Sequence, residues 1–143
     1  MPDLDSYLFF NGQCAEAMRF YERTLGGALE PIMHYGDRPH DPGCAGPMDP
    51  AGKDLVMHAC LQLGQRRLMA SDMPPGQGRA TPGGFSLALN YPSTDEARRI
   101  FDALAQGGTI TMPMEKTFWT QAFGMLTDRF GTPWMVGGGE RTA

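Results

Sequence analysis

Two stretches of the chain carry apolar residues at helical spacing, and each ends in a pair of glycines. The first covers about Gln13–Leu25, where apolar side chains recur every three or four positions and predict an amphipathic helix. The second begins at Ser93 with the sequence STDE, a capping box in which Glu96 follows the cap by three residues. Gly26-Gly27 and Gly107-Gly108 end the two predicted helices, because glycine readily adopts the left-handed conformation that follows helix C-termini.

The segments that flank the two helices repeat in the same order. A short apolar segment of strand-like composition precedes each helix, SYLFF in the first half and FSLAL in the second. Three further extended segments are predicted after each helix: 28–35, 55–63 and 67–71 in the first half, and 109–114, 122–127 and 133–136 in the second. A duplication explains these matched features better than coincidence does. We therefore predict an α+β fold of two βαβββ modules, at about 4–72 and 84–137, within a single domain.

Composition and charge narrow the class of protein. The chain has 143 residues, of which 41% are hydrophobic and 20% charged, as is typical of one soluble globular domain. Its net charge is −4 and it has no run of Lys and Arg, so we expect no nucleic-acid partner. The N-terminal sequence MPDLDSYLFF carries acidic residues and only four consecutive apolar ones, which argues against a signal peptide or a membrane span. Cys14, Cys44 and Cys60 show no C-x-x-C spacing and are interpreted as free thiols of a cytoplasmic protein.

Several motifs resemble those of a known family. The paired βαβββ pattern resembles the vicinal oxygen chelate superfamily, which includes glyoxalases, bleomycin-resistance proteins and dioxygenases. The segments YLFFNGQCAEAMRFY, LMASDMPP, TFW and FGMLTDRFGTPWMV resemble its PhnB-like branch, and they extend from Tyr7 to Val136. This resemblance implies two modules that each curl a sheet around a concave face to form a cavity for a small molecule, usually within a homodimer.

The resemblance also implies positions for a metal ion, and the sequence does not fill them with suitable side chains. Metal-dependent members place a His or Glu on the first and last strand of each module. Counted from the helices, the first-strand positions are Ser6 and Ser86, and the last-strand positions fall near Met69–Ala70 and at Met135. None of these is a plausible ligand for a divalent metal. A shift of one residue adds at most the carboxylate of Asp5, so we expect neither the usual metal nor another cofactor.

Strand alternation predicts which side chains face the cavity. In Leu55–Leu63 the odd positions form an apolar face suited to packing under a helix, whereas the even positions include His58 and Gln62. The same argument assigns Ser86 to the cavity in the first strand of the second module. By the repeat, the cavity-facing residues predicted in the first strand of the first module are Ser6, Leu8 and Phe10.

His58 is the candidate catalytic residue, as a general base or as a group that orients the substrate. The alternative is a hydrogen-bonded core histidine. Trp119, in the sequence KTFWTQ, is placed either to close over an apolar ligand or to pack in a dimer. Met135 is predicted to contact the ligand together with Gln62 and Ser86, with core packing as the alternative for the methionine.

Two further residues are interpreted from the ends and faces of predicted strands. Asp72 ends a strand in the sequence MASDMPP, where it either caps the following turn or takes part in catalysis. Trp134 lies inside the last predicted strand, on the side that faces the helix.

These residues support two classes of function. We predict a PhnB-like protein that binds a small, largely apolar molecule in its cavity without the usual metal, as bleomycin-resistance relatives sequester a ligand. The alternative is a metal-dependent glyoxalase- or dioxygenase-type enzyme with a relocated metal site, for which His58 and the loop Gly36–Gly52 are the obvious donors. A solvated or dimer-covering role is the competing interpretation of that loop. The sequence does not decide whether any reaction is catalysed.

Overall fold

The computed structural model describes residues 2–37, 54–74, 78–81, 83–117 and 120–141. The chain forms two compact units, Met1–Ala80 and Thr81–Ala143. The first unit contains β1 (Ser6–Phe10), α1 (Cys14–Leu25), β2 (Ala28–Leu29), β3 (Met33–His34), a 3₁₀ turn (Tyr35–Asp37), β4 (Val56–Leu63) and β5 (Arg66–Asp72). The second contains β6 (Leu87–Tyr91), α2 (Thr94–Ala105), β7 (Thr109–Glu115), β8 (Thr120–Thr127) and β9 (Pro133–Arg141).

Each unit forms its own sheet, and the two sheets have the same topology. The strand order is β1-β5-β4-β2 in the first unit, where β3 also pairs with β4, and β6-β9-β8-β7 in the second. In both sheets the first and last strands pair in parallel, and the remaining pairs are antiparallel. The predicted α+β fold of two βαβββ modules is therefore confirmed.

The strand after the helix is the least regular part of both units. In the first unit it is divided into β2 and β3, with Pro31 in the gap. In the second unit β7 is continuous but contains Pro113, and its register with β8 shifts on either side of Met112. Proline lacks a backbone N–H and is tolerated mainly on edge strands, and β7 lies at the edge of its sheet.

The two helices bury matching faces but begin differently. The buried positions include Ala17 and Tyr21 in α1 and their equivalents Ala97 and Phe101 in α2. At the start of α2 the hydroxyl of Ser93 accepts a hydrogen bond from the backbone N–H of Glu96 (3.1 Å), as the capping-box pattern predicts. At the start of α1, Gln13 occupies the cap position without a side-chain capping hydrogen bond.

The N-terminus of α1 is instead capped by Asp72 from the end of β5. One carboxylate oxygen accepts hydrogen bonds from the backbone N–H groups of Gly12 (2.9 Å) and Cys14 (3.0 Å), and the other accepts from Val56 N–H (2.9 Å). Asp72 is only 2% exposed. The predicted capping of the turn that follows Asp72 is therefore wrong: its carboxylate binds three N–H groups that precede it in the chain.

The second glycine of each pair brings its helix C-terminus close to a strand. A Cβ atom on Gly27 would overlap the carbonyl oxygen of Gln62, and one on Gly108 would overlap the carbonyl oxygen of Thr127. The repeated Gly-Gly pairs therefore serve the same close approach in both units.

The repeat between the units is not uniform along the chain. The helices α1 and α2 begin 80 residues apart, whereas the strands β1 and β6 begin 81 residues apart. The difference arises because three residues, 11–13, connect β1 to α1, whereas only two residues, 92–93, connect β6 to α2. The strand β6 covers Leu87–Tyr91, two residues later than the predicted FSLAL segment.

Candidate binding faces of the two sheets

Each sheet has one face that packs against its helix and an opposite face, here called the helix-distal face. In the second unit Leu126, Trp134 and Val136 are buried on the helix side, and the Trp134 indole N–H donates to the carboxylate of Asp128 (2.8 Å). The prediction that Trp134 faces the helix is confirmed. Because neighbouring residues of a strand point to opposite faces, Met135 lies on the helix-distal face.

In the first unit the central part of β4 follows the predicted alternation. Ala59 and Leu61 are fully buried on the side of α1, while His58 and Gln62 are half-buried on the helix-distal face. The start of β4 departs from this pattern, because Val56 is buried and Met57 only half-buried. The change coincides with a register shift between β3 and β4, and the alternation predicted over the whole of 55–63 is therefore wrong at this end.

The assignment of β1 is also wrong by one residue. Leu8 and Phe10, predicted to face the cavity, are 6% and 4% exposed. Leu8 pairs with Ala70, which in turn pairs with Ala59 on the helix side. The prediction carried the helix spacing of 80 residues into the strands, where the spacing is 81, and a shift of one residue moves every side chain of a strand to the other face.

The corrected register places aromatic side chains on the helix-distal face of the first unit. Tyr7 and Phe9 are 41% and 51% exposed, and their ring centroids lie 5.2 Å apart. The Tyr7 ring lies 5.9 Å from the ring of His58, and its hydroxyl is 3.4 Å from the Nδ1 atom of His58. We call Tyr7, Phe9 and His58 the aromatic cluster. Sequence reasoning missed its two members on β1, because the strand-to-helix connections differ in length by one residue and the predicted strand boundaries did not reveal this.

The helix-distal face of the second unit contains a pocket. Its volume is about 130 Å³, and its lining includes Ala88, Asn90, Thr120, Phe123, Met135 and Gly137. Met135 pairs with Ala88 across β6 and β9, and Gly137 pairs with both Asn90 and Phe123. The pocket therefore lies over the middle of this sheet.

The five predicted site residues are distributed between the two units. His58 and Gln62 lie on the helix-distal face of β4 in the first unit, where the Gln62 side-chain amide donates to the carbonyl of Gly64 (3.3 Å). In the second unit Met135 lines the pocket, and Ser86 immediately precedes β6. Trp119 and the proposed donor loop beyond residue 37 lie outside the described residues.

The positions implied for metal ligands do not suit a divalent metal in the corrected register either. On the helix-distal face the paired residues of the first and last strands are Tyr7 with Met69 and Ala88 with Met135, none of which supplies an imidazole or a carboxylate. The carboxylate that a shift of one residue would add, Asp5, accepts hydrogen bonds from the backbone N–H of Arg67 (3.0 Å) and from its guanidinium (3.0 and 3.2 Å). These bonds hold the pKa of the Asp5 carboxyl below its usual value. Among the described residues no group of three or more His, Cys, Asp or Glu side chains could hold a metal ion.

Two cysteines of the first unit are buried free thiols. Burial, with a smaller contribution from the nearby Asp72 carboxylate, raises the pKa of Cys14 to about 12. Burial also raises the pKa of Cys60, and the charge of Glu30 adds to the shift. Because the thiolate is the reactive form, neither residue is suited to act as a nucleophile.

The architecture agrees with comparisons of the sequence. The sequence model of the Glyoxalase/Bleomycin resistance protein/Dioxygenase superfamily matches residues 3–136. The chain belongs to this superfamily. Among curated relatives, Protein YjdN of Escherichia coli (strain K12) is 37% identical to this chain over 140 residues. The matched region covers 95% of this chain and 94% of YjdN.

Solved structures support the same assignment within the superfamily. The crystal structure of protein PA1353 from Pseudomonas aeruginosa is 43% identical, with a TM-score of 0.86 over 98% of this chain and 99% of that one. A PhnB protein from Bacillus cereus, described as a putative 3-demethylubiquinone-9 3-methyltransferase, is 27% identical, with a TM-score of 0.74 over 96% of this chain and 99% of that one. These similarities confirm the PhnB-like branch that the motifs predicted. Within the described residues, no helix is both long enough and apolar enough to cross a membrane.

Proposed function

We propose that this PhnB-like protein binds a small, largely apolar molecule on the helix-distal faces of its sheets, without the divalent metal usual in the superfamily. The observation that carries the proposal is the chemistry of the implied ligand positions, Tyr7 with Met69 and Ala88 with Met135. Apolar and aromatic side chains at these positions favour contact with carbon-rich compounds. They supply no ligands for the metal ion that stabilises the adjacent substrate oxygens in metal-assisted chemistry.

The aromatic cluster supports this proposal from the first unit. Tyr7 and Phe9 expose 41% and 51% of their surface, although covering apolar surface is favourable by about 25 cal/mol per Å². A planar ligand that stacks on these rings would recover part of that free energy. His58, next to Tyr7, supplies a hydrogen-bonding group that can orient a ligand or exchange a proton with it.

The other predicted site residues belong to the same proposal. On the first unit Gln62 would supply a polar contact to a bound ligand. On the second unit Ser86 would supply a polar contact, Met135 an apolar one and Trp119 an aromatic cover. A general-base role for His58 applies only if the bound molecule is also transformed.

The methyltransferase activity in the description of the Bacillus cereus protein is not part of the proposal. The sequence GGGE at Gly137–Glu140 lies within β9 rather than between a strand and a helix. A nucleotide-binding glycine motif requires the second arrangement, in which the helix N-terminus faces the phosphate. The two sheets described here therefore offer no support for that chemistry.

Homodimer formation is a further part of the proposal. Ile110 and Met112 on the edge strand β7 are 47% and 40% exposed, as expected of residues that pack against a partner. We expect light scattering after size exclusion to give twice the chain mass of 15.6 kDa. A monomer at micromolar concentration would contradict this part alone.

The experiment begins with the full chain purified without chelator and analysed for bound metals. We expect less than stoichiometric zinc, iron, nickel or manganese; a stoichiometric metal would favour the alternative of an enzyme with a relocated metal site. A thermal-shift screen of planar aromatic and aliphatic compounds then identifies ligands. His58→Ala should weaken binding of the best ligand, whereas Gln65→Ala, at an exposed position of the β4–β5 turn, should not. If no compound raises the melting temperature, the binding function is wrong.

A further inference from the structure

The helix-distal faces of the two units can be compared residue by residue. In the first unit Tyr7, Met69 and Cys60 lie side by side on β1, β5 and β4. The matching row of the second unit is Ala88, Met135 and Met125. The alignment is fixed by the adjacent helix-side rows, in which Leu8–Ala70–Ala59 matches Leu89–Val136–Gly124.

The two rows differ most in the side chain on the first strand, which in the second unit borders the pocket described above. In the first unit the phenol ring of Tyr7 covers the position beside Met69 and lies 5.9 Å from the ring of His58. The second unit has Ala88 at the position of Tyr7 and Phe123 at the position of His58. The pocket therefore lies where the second unit has an alanine in place of the tyrosine of the first unit.

The size and lining of the pocket restrict what can occupy it. Its volume is about 130 Å³, and engineered apolar cavities of about 150 Å³ bind benzene, so one six-membered ring fits. Phe123 and Met135 present an aromatic ring and a thioether to the space, both of which interact favourably with a ring. No Asp, Glu, Lys or Arg is among the described residues that line it, so these residues offer a charged ligand no counter-ion.

Among the described lining residues, Asn90 is the polar side chain best suited to bind a substituent on that ring. The hydroxyl of Thr120 already donates to the carbonyl of Gly138 (3.1 Å). Asn90 lies two residues after Ala88 on the same face of β6. Its carboxamide can both donate and accept hydrogen bonds. An uncharged group such as a phenolic hydroxyl or an amide is the matching substituent.

We propose that the pocket of the second unit is a subsite for a single planar six-membered ring that carries a neutral hydrogen-bonding group, with the ring between Phe123 and Met135 and the substituent at Asn90. This inference rests on the proposed binding function and names the class of compound that one part of the site accepts. The bound ring takes the place that the side chain of Tyr7 holds in the first unit.

The test uses phenol as the probe and the full chain labelled with ¹³C at its methionine methyl groups. We expect the Met135 methyl resonance, assigned with Met135→Leu, to shift saturably as phenol is added, while that of the exposed Met112 does not. Ala88→Phe refills the pocket and should abolish the shift. Thr111→Phe adds the same ring at an exposed position of β7 and should leave the shift unchanged.

The substituent is tested with matched ligands. Asn90→Leu should weaken phenol binding roughly 3- to 10-fold, the effect of losing about one hydrogen bond, and should leave toluene binding nearly unchanged. Benzoate should bind far more weakly than phenol. Equal binding of benzoate and phenol, or an equal effect of Asn90→Leu on phenol and toluene, would overturn the assigned substituent.

The outcomes also separate the subsite from the general binding function. If phenol shifts Met135 no more than Met112, or if Ala88→Phe leaves the shift intact, the subsite is wrong. A ligand from the thermal-shift screen that still binds Ala88→Phe with unchanged affinity would then show that the binding function survives elsewhere. If neither phenol nor any compound in the screen binds, both proposals are wrong.

Discussion

The two units share one βαβββ plan and differ in how they treat two equivalent places. At the start of the helix, the first unit uses a buried carboxylate from β5, Asp72, and the second uses the neighbouring hydroxyl of Ser93. On the helix-distal face, the first unit carries an aromatic cluster and the second a pocket. Since the backbone topology is the same, these differences arise from single side chains and from one residue of loop length.

The largest expected effect concerns the cap of α1. Asp72→Ala leaves three backbone N–H groups without the carboxylate that they bind now, and we expect it to lower the free energy of unfolding by about 4–5 kcal/mol. Ser93→Ala, at the equivalent place of the second unit, should cost only about 1 kcal/mol. Urea denaturation of both variants measures the contrast, and equal losses would mean that the two caps are equivalent.

The helix-facing sides of the two central strands should respond alike. Leu61 and Leu126 are equivalent and at most 1% exposed, so replacing either by alanine should cost about 2–5 kcal/mol. Met57 is only half-buried, so Met57→Ala should lower the free energy of unfolding by less than Leu61→Ala does. A larger loss for Met57→Ala than for Leu61→Ala would show that the register assigned to β4 is wrong.

Alkaline pH should distinguish the first unit through Cys14, whose position in α2 is taken by Thr94. The folded state raises the pKa of Cys14 from 9.0 to about 12, so between these values the unfolded state releases a proton that the folded state keeps. Stability must then fall as the pH rises through this window. We expect wild-type protein to lose about 1 kcal/mol more than Cys14→Ala between pH 8 and pH 10. Parallel curves of unfolding free energy against pH for the two proteins would contradict the raised pKa of Cys14.

The smallest effect is expected on the helix-distal face. His58 is half-buried and makes one long contact with Tyr7, at 3.4 Å. His58→Ala should therefore change the free energy of unfolding by less than about 1 kcal/mol. Thermal denaturation, with Gln65→Ala as the control, measures this. A loss comparable to that of Leu61→Ala would make His58 a core residue and remove the argument for a ligand at this face.

Much of the fold was predictable because local sequence signals agree with the tertiary structure. The helix stripes, the Ser93 cap and the two Gly-Gly pairs each act within a few residues, and they predicted α1 to within one residue of its start. The partners of Asp72 were not predictable, because its hydrogen bonds reach up to 60 residues back along the chain. Its side chain carries no local sign of which N–H groups it will bind.

The candidate site was predictable only in part, for a geometric reason. His58, Gln62 and Met135 were assigned to the correct faces from alternation within their own strands. The residues of β1 were assigned by applying the spacing of the helices to the strands. That assignment failed because the connection between β1 and α1 is one residue longer than the connection between β6 and α2. A shift of one residue along a strand exchanges its two faces. The pocket depends on Ala88 being small where Tyr7 is large, a contrast visible only after the strands are aligned correctly.

The capping of α1 by Asp72 also has a consequence for the order in which the chain folds. In the second unit the cap joins residues 3 apart, so α2 can acquire it as soon as its first turn forms. In the first unit the carboxylate joins segments 16, 58 and 60 residues apart, so α1 cannot be capped until β4 and β5 have docked. The entropy of closing these long chain segments is lost before the hydrogen bonds of Asp72 can stabilise the helix. During refolding we expect the amides of α2 to gain protection from hydrogen exchange before those at the start of α1, which makes the Thr81–Ala143 unit the earlier of the two to form.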